Sequence, residues 1–584
     1  MSIIIGINAY HGDSSACLVK DGVLVAAAEE ERFKRIKHWA GFPIDSIKYC
    51  LDEAEISLDD VNHIAVNSDP KANLGRKVIH SVVKRPNFSF LIDRLKNKRN
   101  RLSIRDELGT LIPDSNFLGK THNIEHHLCH LSSSYHVSNF EKSIAISVDG
   151  FGDFASAAWG LCDKNNIEID NKVYFPHSMG IFYQAMTQFL GFPYYGDEYK
   201  VMGMAAYGEP KYLDKLRSVV FYEKNGKFRL NLDHFIHHNT KVDYQWDGGI
   251  PSVGSLFNLD SLEELLQMKH RGNDKELQQQ HFDLARSTQT MYEEVFYNLL
   301  NATYLQYEID NLSLAGGCAM NSLANGGIFK NTPYKKVYIQ SAAGDAGGAI
   351  GAAYVVANNL GELVDNSKMT NAFYGPSFNN DYHEELLNEK KEQLDSSNCI
   401  VEHFDKEKDL CKKTAEAIAD GKVIGWFQGR MEWGPRALGN RSILCDPRRE
   451  DIREILNLKI KRRESFRPFA PAILFEDIDD WFDENHEVPF MMQVYNIHKD
   501  KQKIIPAVTH KDGTGRLQTV DSLNNPRYYD LILEFKKITG VPIVLNTSFN
   551  ENEPVVCRPE EALETFLRTK MDLLVLGNWM VYRS

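Results

Sequence analysis

Two histidines four residues apart, His126 and His130 in Glu125-His126-His127-Leu128-Cys129-His130, form the sharpest chemical pattern in this sequence. On a helix, positions i and i+4 share one face, so both imidazoles can reach a single metal ion while His127 points elsewhere. No Glu follows the first histidine, so the H-E-x-x-H pattern of zinc proteases is missing. Two acids among glycines at strand ends extend the set: Asp149 in Val148-Asp149-Gly150, and Asp345 in Gly344-Asp345-Ala346-Gly347-Gly348. Imidazole and carboxylate ligands of this kind suit Fe(II), Mn(II) or Zn(II), and residue types do not choose among the three.

A second constellation is cationic. Arg436 follows a Gly434-Pro435 turn, Lys461 lies in Lys459-Ile460-Lys461-Arg462-Arg463, Arg467 is set in Phe466-Arg467-Pro468-Phe469, and Arg516 closes Asp512-Gly513-Thr514-Gly515-Arg516. These side chains stand in turns punctuated by Gly and Pro rather than on polar helix faces. Guanidinium forks and an ammonium so placed suit a phosphate-bearing ligand, and Asn546 and Ser548 of Leu545-Asn546-Thr547-Ser548 add amide and hydroxyl groups. Gly316, Gly317 and Asn321 end a strand-like run, Leu312 to Ala315, where paired glycines permit close backbone approach to a ligand.

The elements that must position these groups repeat. Ile3-Ile4-Ile5-Gly6-Ile7 reads as a buried strand, followed by the polar turn Asn8 to Ser15, a second strand at Ala16 to Val19, an Asp21-Gly22 hairpin, and a third strand at Val23 to Ala27. The same grammar returns at Ile144 to Val148, the acidic glycine-rich turn Asp149 to Asp153, and the strand from Ala155 to Gly160. A duplicated unit of this kind suggests the actin/sugar-kinase architecture, in which hairpin turns face a nucleotide. A helix is expected over about Asp283 to Tyr307, and a helix of small residues after Asp345. The chain turns polar between Leu363 and Ser397, which places a domain boundary near residue 370, ahead of a separate α/β domain.

Composition narrows the class. The 584 residues hold 67 Lys+Arg against 80 Asp+Glu, a net charge of -13, so the surface as a whole does not suit nucleic acid. One exception is Lys71 to Arg105, with eleven Lys/Arg and the single acid Asp93, read as a solvated helical insertion or a docking surface for an anionic acceptor. The longest weakly polar run, Ala346 to Ala357, is about half a membrane span. The N-terminus lacks a basic start and a small-residue cleavage site, which points to a cytoplasmic protein. Nine scattered cysteines with no CxxC pair argue for reduced thiols and against a thiolate zinc site.

Several motifs in order carry a resemblance. With Ala28-Glu29-Glu30-Glu31-Arg32-Phe33, His126 to His130, Lys200 to Ala205, Glu432 to Ser442, Phe466 to Pro471 and Leu545 to Phe549, the chain resembles the O-carbamoyltransferases of nodulation-factor and antibiotic biosynthesis nearly end to end. The resemblance implies a mixed α/β protein. Residues 1–368 would form a duplicated actin/sugar-kinase-like carbamoyl-transfer domain, and residues 369–584 a domain similar to threonylcarbamoyl-adenylate synthases. Carbamoyl phosphate and ATP, with Mg, would give carbamoyl-adenylate in the second. The carbamoyl group would then pass to a hydroxyl of a small molecule or sugar in the first, beside a metal that is usually iron. By motif, His126, His130, Asp149 and Asp345 would ligate the metal, and Gly316, Gly317 and Asn321 would line the nucleotide. Arg436, Lys461, Arg467, Arg516, Asn546 and Ser548 would hold carbamoyl phosphate and the ATP phosphates, with Lys461 and Arg467 acting in catalysis. His11 is the residue assigned as base for the acceptor hydroxyl. Family habit suggests a homodimer, and no nucleic-acid partner is expected. Cys129 stands where alanine is common and Asn552 where glycine is expected, neither at a proposed ligand. Two other readings remain: an actin-like kinase or ATPase, which leaves both constellations unexplained, and a tRNA-modifying threonylcarbamoyl enzyme, which would give the basic stretch an RNA partner.

Overall fold

The structure, a computed structural model, describes residues 2–78, 103–239, 244–245, 247–273, 275–364, 368–464 and 466–583. Most of the basic stretch, residues 79–102, lies outside the described residues, and so does any test of its role. The chain forms two compact units. One comprises Met1–Lys34, His38–Ala324 and Ile328–Met369; the other Arg35–Lys37, Asn325–Gly327 and Thr370–Ser584.

The first unit is a duplication written in hydrogen bonds. Strands β1 (Ile3–Asn8), β2 (Ser15–Lys20), β3 (Val23–Glu29), β4 (His63–Val66) and β5 (Lys120–Asn123) form a sheet in the order β3-β2-β1-β4-β5. Strands β6 (Lys142–Gly152), β7 (Ala155–Asp163), β8 (Asn166–Tyr174), β9 (Asn311–Ala315) and β10 (Lys336–Ile339) form another in the order β10-β9-β6-β7-β8. In both sheets the first strand pairs antiparallel with the second and parallel with the fourth in line. Two sheets of one order and one sense are the duplicated actin/sugar-kinase arrangement. The β-branched, almost wholly buried run Ile3–Asn8 explains the first strand.

Helices complete the unit: α1 (Ile44–Glu53), α2 (His126–Tyr135), α3 (Met179–Phe189), α4 (Gln279–Tyr307) and α5 (Gly347–Asn359). Every residue of α5 from Gly347 to Ala357 is buried, so its small apolar composition belongs to a core helix. It packs on α2 and on β1. The contacts need glycine: a Cβ at Gly351 would stand 1.8 Å from the Cys129 carbonyl oxygen, and one at Gly6 would stand 2.0 Å from that of Ala349. Among the described residues no helix is long and apolar enough to cross a membrane.

One element differs from the sequence reading. Asp149 to Gly152, expected as turn, continues β6; the turn itself is Asp153-Phe154, both at positive φ. The register is irregular between Val148 and Gly152, a bulge of the kind that re-aims a side chain, here Asp149.

The second unit is built on one mixed sheet. Its strands are β11 (Cys399–His403), β12 (Ile424–Phe427), β13 (Arg441–Cys445), β14 (Ala470–Leu474), β15 (Gln493–Asn496), β16 (Thr514–Val520), β17 (Ile543–Ser548), β18 (Leu573–Leu576) and β19 (Trp579–Arg583). They run in the order β11-β19-β18-β12-β13-β17-β14-β16-β15. Helices α6 (Glu407–Ala419), α7 (Pro526–Thr539) and α8 (Pro559–Arg568) cover it. A single apolar cluster, from Leu386 to Val581, fills the interior. All nine cysteines are free thiols.

Candidate functional site

In the first unit, α2 opens with His126 as its first residue. The Glu125 carboxylate accepts from the Leu128 N–H at 2.8 Å, and the Asp153 carboxylate accepts from the His126 N–H at 2.9 Å, so the helix start is held from both sides. One turn on, His130 points the same way. Their Nε2 atoms lie 3.0 Å apart. Asp149 Oδ2 is 3.1 Å from His126 Nε2 and 3.4 Å from His130 Nε2, and Asp345 Oδ1 is 3.5 Å from each. The four ligand atoms all fall within 4.8 Å of one another.

These edges fit an ion. A metal about 2.0–2.2 Å from each ligand puts neighbouring ligand atoms about 3.0–3.5 Å apart in octahedral or tetrahedral geometry. Although burial opposes its charge, His126 is raised to about 9 by Asp149 and Asp345, and Asp149, also against burial, is held well below the carboxylate range by the two histidines. The two carboxylates therefore stabilise positive charge placed beside the Nε2 atoms. His127 faces away, with Nδ1 2.7 Å from Ser147 Oγ; burial, then His126, pushes it down to about 3, so it stays neutral.

The glycines around the centre fix its walls. A Cβ at Gly152 would stand 1.9 Å from the His126 ring, and one at Gly348 would stand 1.9 Å from Asn67 Nδ2. Gly316, at φ +90, lies against the Val148 carbonyl, and the Gly317 N–H donates to Asp149 Oδ1 at 2.8 Å. Asn321 exchanges amide hydrogen bonds with Gln289 and caps Ala324, so its side chain shapes this wall. The His11 ring lies 6.2 Å, centroid to centroid, from that of His126.

The cationic constellation belongs to the second unit, where one buried acid builds the loop that carries Arg436. Glu432 Oε1 accepts the backbone N–H groups of Leu438, Asn440 and Arg441 at 2.8–3.0 Å. The loop's carbonyls are tied in turn: Gln518 Nε2 donates to Leu438 O at 2.8 Å and Asn546 Nδ2 to Ala437 O at 3.1 Å. Asn546 thus spends its donors on the loop and on Gln518 Oε1. Lys461 follows a wide helical turn, Ile455–Ile460, closed by its own N–H onto Leu456 O five residues back. Its ammonium donates to the backbone oxygens of Ser548 and Asn550 and to Asn550 Oδ1 at 2.7 Å, with Ser548 Oγ 3.3 Å away. Burial, then Arg463, Lys37 and Arg467, pushes Lys461 well below its usual range; burial, then Arg436, Arg463 and Arg467, does the same to Arg516. Cations gathered this closely are electrostatically poised for an anion. Glu464 stands 3.4 Å from Arg467.

Both regions fall within recognised sequence profiles. The carbamoyltransferase N-terminus matches residues 3–354, and the carbamoyltransferase C-terminus residues 415–583. The chain belongs to the carbamoyltransferase family. It is an enzyme of carbamoyl transfer. This carbamoyltransferase is 37% identical to an uncharacterised protein of Synechocystis sp., over 100% of this chain and 97% of that one. It is also 37% identical to the nodulation protein NolNO of Sinorhizobium fredii, over 98% of this chain and 79% of the relative. To the 3'-hydroxymethylcephem-O-carbamoyltransferase of Streptomyces clavuligerus it is 31% identical over 41% of this chain and 42% of the other.

The structure of the carbamoyltransferase adds residues the sequence reading passed over. Arg463, in the same basic run as Lys461, joins the cation set and lies over Phe469, its guanidinium 4.6 Å from the ring centroid. Asn550 completes the cradle of Lys461. Arg441, in one motif with Arg436, is fully buried and gives its guanidinium to the carbonyls of Gln428, Gly429, Asn440 and Pro376. It braces the loop. Asp153, read as a turn residue, is the acid that pins the start of α2.

Proposed function

We propose that the chain is an ATP-dependent O-carbamoyltransferase that works in two steps. In the second unit, carbamoyl phosphate and ATP give carbamoyl-adenylate; the balance consumes water and releases orthophosphate and pyrophosphate. In the first unit, the carbamoyl group passes to a hydroxyl of a small-molecule or sugar acceptor and AMP leaves. The observation that carries the reading is the gathering of buried Lys461 with half-buried Arg436, Arg463, Arg467 and Arg516 into one set of like charges within the carbamoyltransferase C-terminus region. Such a set binds a polyanion at the least cost, since each phosphate oxygen offsets a repulsion already present.

The side chains divide the work. Lys461, locked by Ser548 and Asn550, offers a fixed point charge, and Glu432 holds the loop that presents Arg436. A carbamoyl group is a poor electrophile until its leaving group is good, and an adenylate supplies one. In the first unit, His126, His130, Asp149 and Asp345 would hold a divalent ion, Fe(II) or else Mn(II) or Zn(II). Bound there, the ion would supply Lewis acidity to the oxyanion of the transfer step. Gly317 N–H fixes Asp149, and His11, whose ring lies 6.2 Å from that of His126, is the residue assigned as base for the acceptor hydroxyl. The relatives named as O-carbamoyltransferase and nodulation protein favour a hydroxyl acceptor.

The test is isotope exchange between pyrophosphate and ATP, without any acceptor. Exchange is expected with carbamoyl phosphate and lost in Arg467→Ala. Exchange supported by threonine and bicarbonate instead would favour the threonylcarbamoyl reading. No exchange with either would leave a kinase or ATPase.

A further inference from the structure

We propose that Asp153, at the tip of the β6–β7 hairpin, is a positioning residue of the metal centre: its carboxylate fixes His126 and latches the segment after β4 onto the ligand helix. The inference rests on the reading of His126, His130, Asp149 and Asp345 as metal ligands and adds a residue outside that set.

The hairpin tip is held against its own preference. Asp153 and Phe154 alone join Gly152 to its partner Ala155, at φ +49 and +73. Two successive positive φ values make the turn that Asn-Gly adopts without strain. Phenylalanine has no such freedom, and a bulky residue there persists only where its surroundings over-determine it. Four hydrogen bonds converge on Asp153. Its Oδ2 accepts from the His126 N–H at 2.9 Å and from the Asp69 N–H at 2.8 Å. Its Oδ1 accepts from Ser68 Oγ at 3.3 Å, and its backbone oxygen accepts from Asn73 Nδ2 at 2.9 Å.

One hairpin thus grips one histidine in three places. Asp149 approaches His126 Nε2 at 3.1 Å. Gly152 lies against the imidazole face, where a Cβ would stand 1.9 Å from the ring. Asp153 holds the backbone N–H. His130 stands one turn along the same helix, so the placing of the His126 backbone sets where both imidazoles meet. Glu125 serves the helix differently: its carboxylate accepts from the Leu128 N–H and pairs with Lys172, and so holds no ligand residue directly. Charge acts in the same sense as geometry. Burial opposes charge on His126, while Asp149, Asp345 and, behind them, Asp153 favour it.

The latch also reaches a third ligand. Asn67, one residue past β4, gives Nδ2 to the Asp345 backbone oxygen at 3.4 Å and lies on Gly348, where a Cβ would stand 1.9 Å from that nitrogen. Residues 67–73 therefore bear on the Asp345 loop at one end and, through Asp153, on the start of α2 at the other. Further along, the Arg76 guanidinium stands over the Tyr174 ring at the end of β8, 4.8 Å from its centroid. Ligands from distant parts of the chain must meet within a few tenths of an ångström to hold an ion, and groups outside the ligand set supply that precision.

The test measures Co(II) on the full-length protein, by competition with a chromophoric chelator and by the visible spectrum of the bound ion. Asp153→Gly removes the carboxylate but relieves the turn, since glycine takes positive φ freely. A role confined to the hairpin would leave this variant folded with its metal site intact. It is expected instead to bind Co(II) about 10–100-fold more weakly, the effect of outer-shell partners, with an altered spectrum. Asp153→Asn keeps an oxygen toward the His126 N–H and is expected to restore the spectrum and part of the affinity. Asn73→Gly, at φ +56, removes only the bond to the Asp153 backbone oxygen. It should weaken Co(II) binding less, and add nothing further in Asp153→Gly. Wild-type affinity and spectrum in folded Asp153→Gly would overturn the proposal. So would an equal loss from Asn73→Gly with and without the Asp153 carboxylate. Failure of the wild type to bind Co(II) would instead sink the assignment of the four ligands.

Discussion

The two charged centres of the molecule are opposites. In the first unit, two imidazoles and two carboxylates converge at 3.0–3.5 Å, and every group there favours a cation. In the second, Arg436, Arg463 and Arg467 lie close enough to Arg516, and Arg463 and Arg467 to Lys461, to push both below their usual range, and the excess of positive charge favours an anion. Both are built with the same economy: an acidic side chain holds backbone N–H groups so that the charged side chains meet. Asp153 does this for His126, and Glu432 for the Arg436 loop. In the function we propose, the first centre would hold the metal of the transfer step and the second would hold the phosphates.

The largest break should come from His130→Ala. Bound divalent metal, by elemental analysis of purified protein, is expected to drop to background, and carbamoyl transfer to fall by more than the about 100-fold that even outer-shell changes produce. Metal retained at wild-type level would remove the first half of the contrast. Next, Lys461→Ala should weaken carbamoyl phosphate binding by about 10–100-fold in calorimetry, the worth of charged hydrogen bonds of about 1.5–3 kcal/mol. Its metal content should not change. Glu432→Gln sharpens the comparison further. The three backbone donors keep an oxygen but lose its charge, so anion affinity should fall by about tenfold and the melting temperature of the second unit by about 2–4 °C for each kcal/mol lost.

The smallest effect concerns pH. His383, in the second unit, is buried with neither ring nitrogen hydrogen-bonded among the described residues. Burial, then Arg441 and Arg527, holds it down to about 4, against about 6.5 in the unfolded chain. The unfolded chain therefore binds the proton first as pH falls. The contribution of neutral His383 is complete above about 6.5 and is lost as pH drops toward 4. Urea midpoints at pH 7 and pH 5 should differ less in His383→Phe than in the wild type; an unchanged difference would show that other groups set the acid slope.

Much of this was readable before any coordinates. The i, i+4 spacing of His126 and His130 is a direct consequence of helix geometry, and glycine-flanked acids at strand ends pointed to Asp149 and Asp345. The duplicated strand grammar foretold two sheets of one order. What escaped depends on long-range packing. Arg462 and Arg463 are adjacent and chemically identical, yet Arg462, at φ +45, turns outward to Glu551 while Arg463 lies over Phe469. Arg436 and Arg441 share one motif, and only the register of β13 against β12 buries the second. The bulge that aims Asp149 leaves no mark in residue types.

The division of labour itself is tested most directly by measuring both half-reactions in His130→Ala and Arg467→Ala side by side. Carbamoyl-phosphate-dependent pyrophosphate exchange is expected to persist in His130→Ala and vanish in Arg467→Ala. Carbamoyl transfer should be lost in both. Exchange abolished in folded His130→Ala, or intact in Arg467→Ala, would contradict the account.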